Sequence, residues 1–501
     1  MELGFTPDPM CYLQQVLWDC QCREETADTI VPDSYPDVSR IVSCHALAVM
    51  RSKECRQGSA VVNGGIRTRV LYVAEGESMP RCLEVYLPYT IQADGPGLTE
   101  NSIVQFSSRI KSADARMVNS RKIVVRVNLC YELGAYEPAQ AELYRLDKKP
   151  EELQLRQAEY RVPLPVEGGE RSFQLSEELN LPTNHPLMGE ICHFSPRLEL
   201  LEKRLSGNKA VFKGLVHLTM LYLTQGDVPV TYSTEIPFSQ YCELGDVYDD
   251  EELNVSLEMT GCDLERIPQG DGEGLLLTMH LLSQCLVSAQ KALTLQEDAY
   301  TIRGDFAPQW KQYEFSTRLD RQTLNRTVRD SRELSAREVA DARVYLDAPR
   351  QKRLPDGVEV QIPATAQILY YDENGDLQGV THRMEFTEKI SLADNVECRI
   401  KADLGGDVAA MPTGSTLEIR FPLSLEVECL AKTQFRTLCG GQMTKGEEKP
   451  GARPSIIVRR TRTGESLWDI AKANGTTVER IRSANRLNSE EAPAGILLIP
   501  T

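Results

Sequence analysis

What the sequence lacks narrows it first. No stretch of the 501 residues approaches 18 consecutive apolar side chains, so no membrane-spanning helix is expected. The opening segment, MELGFTPDPMCYLQQVLWDC, has neither a basic start nor an apolar run ahead of a small-residue cleavage site, and a cytosolic chain is expected. Fourteen cysteines are scattered without a CxxC pair or a dense framework. Free thiols are therefore expected, with Cys130, Cys285 and Cys429 buried in apolar strand-like runs. The dipeptides Cys44-His45 and Cys192-His193 resemble paired metal ligands, but they fall two positions out of step in the repeat described below, and no metal site is expected. HExxH and GxxxxGK(S/T) are both absent, and the six histidines (His45, His185, His193, His217, His280 and His382) are dispersed. No catalytic set assembles, so the chain reads as non-enzymatic and without a cofactor.

Two loops imitate ligand sites without completing them. Asp372-Glu373-Asn374-Gly375-Asp376 begins like a calcium loop, but Leu377 stands where glycine is needed and Arg383 where the closing glutamate belongs. Gly270-Asp271-Gly272-Glu273-Gly274 has the glycines of a phosphate cradle, but its acids would repel phosphate.

What is present is acidic and ordinary in composition. The net charge is −17, from 73 acidic and 56 basic residues. From Ile456 onward seven basic residues face five acidic ones, so the last 46 residues carry +2 and the remainder −19. That balance argues against nucleic-acid binding by the main body.

The C-terminal segment is a complete βααβ pattern. Ser466 stands at a helix N-cap with Asp469 three residues on, near the positive end of the helix dipole. Leu467, Ile470 and Ala471 make one apolar face, and Asn474-Gly475 supplies a C-cap. Thr477 starts a second helix, with Val478, Ile481 and Ala484 as its buried stripe. The run Gly464-Glu465-Ser466-Leu467-Trp468-Asp469-Ile470-Ala471 is similar to the core of the LysM family, and Gly475-Thr476-Thr477-Val478, Ala484-Asn485-Arg486-Leu487 and Ile499-Pro500 follow in the family's order. The resemblance implies a binding module, usually for N-acetylglucosamine polymers. It also implies a groove between Thr463, Gly464, Glu465, Ser466 and Leu467 on one side and Asn485, Arg486, Leu487 and Asn488 on the other. Trp468 and Ile470 are expected to be structural anchors rather than ligand contacts. Where many such modules have an aromatic residue and a Lys-Pro-Gly turn, this one has Arg459, Arg460 and Arg462, and the usual groove glycine is Ala494. Arginine suits carboxylates and protein interfaces, so a protein ligand competes with a glycan.

The remaining residues repeat. GIRTRVLYVAEGESMPRCLEVYLPYTI from Gly65, GLVHLTMLYLTQGDVPVTYSTEIPFSQ from Gly214 and PATAQILYYDENGDLQGVTHRMEFTEK from Pro363 each hold a strand, a tyrosine, a turn glycine and a second strand. The pairs Tyr72/Gly76, Tyr222/Gly226 and Tyr371/Gly375 mark a β-hairpin, with glycine supplying a positive φ. Alternation is clean in the first two copies (Ile66, Thr68, Val70, Tyr72; Val216, Leu218, Met220, Tyr222), and the third breaks its parity. Val31-Pro32 to Pro36 recurs as Leu181-Pro182 to Pro186. The third copy has instead a polar stretch, Arg326 to Glu338, read as a candidate helix.

The expected fold is mainly β, with three tandem β-sandwich or barrel-like domains and a small α+β module. Expected boundaries are an N-terminal segment over 1–25, β domains over 26–140, 150–290 and 291–438, a flexible linker over 439–454 and the LysM module over 455–501. The linker composition predicts an end-to-end span of roughly 20–25 Å. The repeated units resemble SPOCS domains, and the whole arrangement resembles the SipL-type spore morphogenesis proteins of anaerobic spore-forming Firmicutes. That resemblance implies a scaffold of coat assembly in the mother cell, at the forespore surface, whose partners are the coat-basement ATPase SpoIVA and other coat proteins. Attachment to peptidoglycan is the alternative.

Overall fold

The computed structural model describes residues 2–77, 80–182, 185–245, 247–248, 250–269, 272–392, 396–444, 455–462, 464–489 and 491–501. The first copy is built from β1 (Phe5–Ile30), β2 (Val38–Arg56), β3 (Ser59–Ala74), β4 (Pro80–Asp94), β5 (Ile103–Asn119) and β6 (Lys122–Leu146). The second comprises β7 (Leu153–Asn180), β8 (Met188–Ser206), β9 (Lys209–Thr224), β10 (Pro229–Glu243), β11 (Glu252–Gln269) and β12 (Gly272–Thr301). The third follows with β13 (Asp305–Glu333), β14 (Glu338–Leu346), β15 (Arg350–Leu354), β16 (Gly357–Tyr371), β17 (Leu377–Ser391), β18 (Glu397–Leu404), β19 (Ala409–Thr413) and β20 (Thr416–Thr444).

Each copy is a sandwich of two antiparallel sheets. The orders β1-β6-β5 with β2-β3-β4 and β7-β12-β11 with β8-β9-β10 are the same plan. In the third copy β14 and β15 share the place of one edge strand, and β18 and β19 share another. Alternation sets which face is buried, because neighbouring side chains on a strand point to opposite sides. In β4, Leu83, Val85, Leu87, Tyr89, Ile91 and Ala93 face the core while the residues between them face solvent. Three separate apolar cores result, one per copy.

The register explains the broken parity of the third repeat. Leu71, Leu221 and Leu369 lie opposite Ser43, His193 and Asp341, so the structural counterpart of Tyr72 and Tyr222 is Tyr370 rather than Tyr371. With that one-residue shift Ala364, Ala366, Ile368 and Tyr370 form the buried row. The hairpin turns also differ: Gly76 and Gly375 adopt positive φ, but in the second copy Asp227 takes the left-handed conformation in place of Gly226.

Several expected boundaries fall inside strands. β1 runs through the expected 1–25 segment and pairs along its length with β6, so these residues are an edge strand of the first sandwich. The boundary at 290/291 lies within β12, and Cys439 to Thr444 complete β20. The remainder of the expected linker, 445–454, lies outside the described residues. Arg326 to Glu333 is strand, not helix, and pairs with β20. Polarity there reflects an edge strand facing water on one side.

Among the described residues, several apolar clusters join the three sandwiches. Val42, Leu71, Val73 and Cys82 of the first copy, Cys192, Leu221 and Leu223 of the second, and Leu369 and Leu377 of the third form one apolar hub. Further along, the long outer strands of all three copies close a second cluster that includes Ala141, Leu143, Val162, Leu164, Leu293, Leu295 and Phe315. The arrangement is a pseudo-threefold body.

The C-terminal unit comprises β21 (Ile456–Thr461), β22 (Glu465–Ser466), α1 (Leu467–Asn474), α2 (Val478–Asn485), β23 (Glu491–Ala492) and β24 (Gly495–Pro500). Ser466 caps α1 by accepting from the Asp469 amide at 3.3 Å, and Thr477 caps α2 by accepting from the Arg480 amide at 3.2 Å. Gly475 (φ 61°) ends α1 in the left-handed conformation. Among the described residues, no helix is long and apolar enough to cross a membrane.

Candidate functional site

The small C-terminal module does not stand apart from the body. Its α1 docks on the end of β12. Trp468 Nε1 donates to Asp298 Oδ2 at 2.8 Å, and Lys472 Nζ reaches both Asp298 oxygens at 2.7 and 2.8 Å. Tyr300 packs edge-on against the Trp468 ring with centroids 4.9 Å apart, and its hydroxyl donates to the Thr476 carbonyl at 2.8 Å. The Arg156 guanidinium lies over the same indole. Tyr300 joins Leu467, Ile470, Ala471, Ile481, Leu497 and Ile499 in one buried cluster. Burial opposes the charge of Asp298, but hydrogen bonds from Lys472 and Trp468 outweigh it and hold the carboxyl below the usual range. Trp468 is thus an anchor to the second sandwich. The linker composition does not encode this contact; it depends on Asp298 and Tyr300, some 170 residues away.

The expected groove residues take different roles. Leu467 and Ile470 are buried in the module's core. Glu465 is engaged locally, its carboxylate accepting from Arg459 Nη2 at 2.8 Å and from the Arg462 amide at 2.8 Å. The Asn485 side chain staples α2 to β24, donating to the Ile481 carbonyl at 2.8 Å and accepting from the Leu498 amide at 2.8 Å. Leu487 packs against the core, and Ser466 is committed to its helix cap. Gly464, Arg462, Arg486 and Asn488 are exposed, and Thr463 lies outside the described residues.

The three arginines do not converge. Ile457, Arg459 and Thr461 alternate on the side of β21 that faces the module, whereas Ile456, Val458 and Arg460 alternate on the other. Arg459 is neutralised by Glu465, Arg460 projects from the outer face, and Arg462 follows the strand. β24 completes that outer face: Val458 pairs with Leu498 and Arg460 with Ile496. Ile456, Val458 and Ile496 are 54%, 63% and 73% exposed, an apolar surface that a solvated strand pair has no reason to carry.

The body holds a second polar constellation. His193 and Asp341 occupy equivalent positions in their copies, and His45 and Arg343 lie two residues further along theirs. The two-step offset does not keep the histidines apart: at the hub their rings lie 5.0 Å centroid to centroid. His45 shares hydrogen bonds with the Tyr345 hydroxyl (3.3 Å) and the Phe194 carbonyl (3.1 Å). His193 meets Arg343, whose Nε donates to Asp341 at 2.9 Å. Desolvation, then the Arg343 charge, hold both imidazoles well below their ordinary pKa. A cavity of about 190 Å³ adjoins them. With both His45 nitrogens hydrogen-bonded and His193 facing a guanidinium, the group is a neutral buried junction rather than a ligand set for a cation.

Cysteine placement departs from the expected free thiols. Cys22 and Cys130, opposite each other on β1 and β6, are joined in a disulfide. Their neighbour Asp347 would otherwise complete a three-donor group, but bridged sulfurs are not metal ligands. Cys285 and Cys429 are free and buried, as expected. The calcium-like loop is a capped turn, in which Asp372 Oδ1 accepts from the Asn374 and Asp376 amides at 2.9 Å.

Comparison with known families places names on these units. No curated protein and no solved structure matches the chain. Residues 460–495 match the family model of the LysM domain, covering the end of β21 through the start of β24. Residues 188–267 match that of the SipL SPOCS domain, which covers β8 to β11 of the second sandwich. The chain thus carries a SipL-type SPOCS domain in its second sandwich, flanked by two others of the same strand plan, and a C-terminal LysM domain.

Proposed function

We propose that this sporulation protein is a non-enzymatic scaffold of spore-envelope assembly that binds the coat-basement ATPase SpoIVA at the forespore surface, in part through its LysM domain. One observation carries the preference for a protein partner: the outer face of β21 and β24 exposes Ile456, Val458 and Ile496 beside Arg460. Apolar residues rimmed by arginine are the composition of a protein interface. Docking through α1 leaves that face to solvent and fixes its direction relative to the body, which suits an adaptor. The two matched domains are of binding and scaffold types.

The alternative reading is attachment to peptidoglycan or another N-acetylglucosamine polymer. It rests on the LysM match itself and on the exposed groove rim of Gly464, Arg462, Arg486 and Asn488. Incubating the full chain with immobilised SpoIVA and, separately, with insoluble peptidoglycan distinguishes the two. Retention on SpoIVA supports the scaffold contact. Retention on the glycan alone replaces it with the attachment reading.

A further inference from the structure

The strand that closes each sandwich carries a buried cysteine: Cys130 on β6, Cys285 on β12 and Cys429 on β20. Each meets a second cysteine, and the partner arrives from a different strand every time. Cys130 is joined to Cys22 of β1. Cys285 lies opposite Gly169, and the Cys242 sulfur of β10 packs over that glycine within the same buried cluster. Cys429 lies opposite Cys398 of β18, with sulfurs 3.7 Å apart. A fourth pair, Cys82 of β4 and Cys192 of β8, is buried together in the apolar hub and spans the first and second sandwiches. Copying one ancestral unit would repeat the same partner strand. Four pairs formed in four different ways are a property of the assembled body.

We propose that Cys398/Cys429, Cys242/Cys285 and Cys82/Cys192 are oxidation sites that close to three further disulfides, locking each sandwich internally and tying the first to the second. The oxidant class is a low-molecular-weight disulfide. One thiolate attacks a sulfur of the oxidant and releases the first small thiol; the neighbouring thiolate then attacks the mixed disulfide and releases the second. The pair gives up two electrons and two protons, and the oxidant is reduced to two thiols. Geometry sets the order. Cys398 is half-buried, so its pair is reached first, while the other two pairs are enclosed and react as the sandwiches open locally. Burial, with the neighbouring thiol adding to it, pushes the Cys398 thiol up to about 12, so thiolate supply also slows the step.

The test uses the full chain with the Cys22–Cys130 disulfide in place, incubated with oxidised glutathione, alkylated, digested without reduction and mapped by mass spectrometry. The expected map joins 398 to 429, 242 to 285 and 82 to 192, with no glutathione on these six residues, while the exposed Cys11 and Cys20 carry glutathione. The Cys429→Ser variant should lose only the first link and trap glutathione on Cys398. The proposal is overturned if Cys398 and Cys429 are still alkylated once Cys11 and Cys20 have reacted, if the enclosed pairs are still alkylated after an incubation longer than the local opening time read by hydrogen exchange, or if any of the six retains glutathione or links to another partner.

Discussion

At His193, charge and folding are directly coupled. It lies buried against Arg343, and its neutral form is the one the hub accommodates. In the unfolded chain a histidine titrates near 6.5. Because the folded-state pKa is depressed, the stability tied to the neutral ring is complete above about pH 6.5 and is lost as pH falls below it, by up to about 1.4 kcal/mol per pH unit per histidine. Thermal unfolding followed from pH 7 to pH 5 should therefore show a falling midpoint, and His193→Gln should flatten that dependence; an equal slope in the variant contradicts the assignment. The sequence displayed both Cys-His dipeptides but not their meeting. Equivalent positions in a repeat are expected to approach one another around an axis, whereas His45 and His193 are offset by two and meet because strands of different copies pack side by side.

At the scale of elements, close approach between β17 and β2 depends on a missing side chain. A Cβ on Gly379 would lie 1.8 Å from the Val42 carbonyl oxygen, inside the contact that seats the third sandwich on the first. Gly379→Ala should cost about 1–3 kcal/mol, read by chemical denaturation, and hydrogen exchange should rise in β2 and β17 more than in β12. Unchanged stability would mean that the strands shift freely. Hairpins were readable from sequence because their signal is local: period-two alternation and a turn residue with positive φ. The third copy's shift was not, since Tyr370 and Tyr371 are adjacent and only pairing with β14 decides between them. The same limit applies to Arg326 to Glu333, whose polarity matches a helix surface as well as an edge strand, and whose identity is fixed by β20.

For the whole molecule, the decisive feature is where the LysM domain sits. Its caps, the apolar face of α1 and the closing strand were legible because they lie within 46 residues, whereas Ala484, expected in the buried stripe of α2, is exposed. Its attachment was not legible, because Trp468 reads as a core anchor until Asp298 and Tyr300 are brought to it. Replacing Trp468 with alanine should weaken docking by at least about 1.4 kcal/mol, a tenfold rise in hydrogen exchange over residues 298–302 and 467–476. No change in exchange would show that the indole does not hold the domain. The proposed partner surface is separate from this anchor. In the full chain, Val458→Glu and Ile496→Glu place charge on the exposed face without touching the core, the groove rim or Asp298. The most direct measurement is the affinity of this double variant for SpoIVA against that of the wild-type chain, with peptidoglycan retention measured in parallel. A loss of at least about tenfold, or 1.4 kcal/mol, with glycan retention unaltered is the predicted result; wild-type affinity for SpoIVA in the double variant would contradict the scaffold contact.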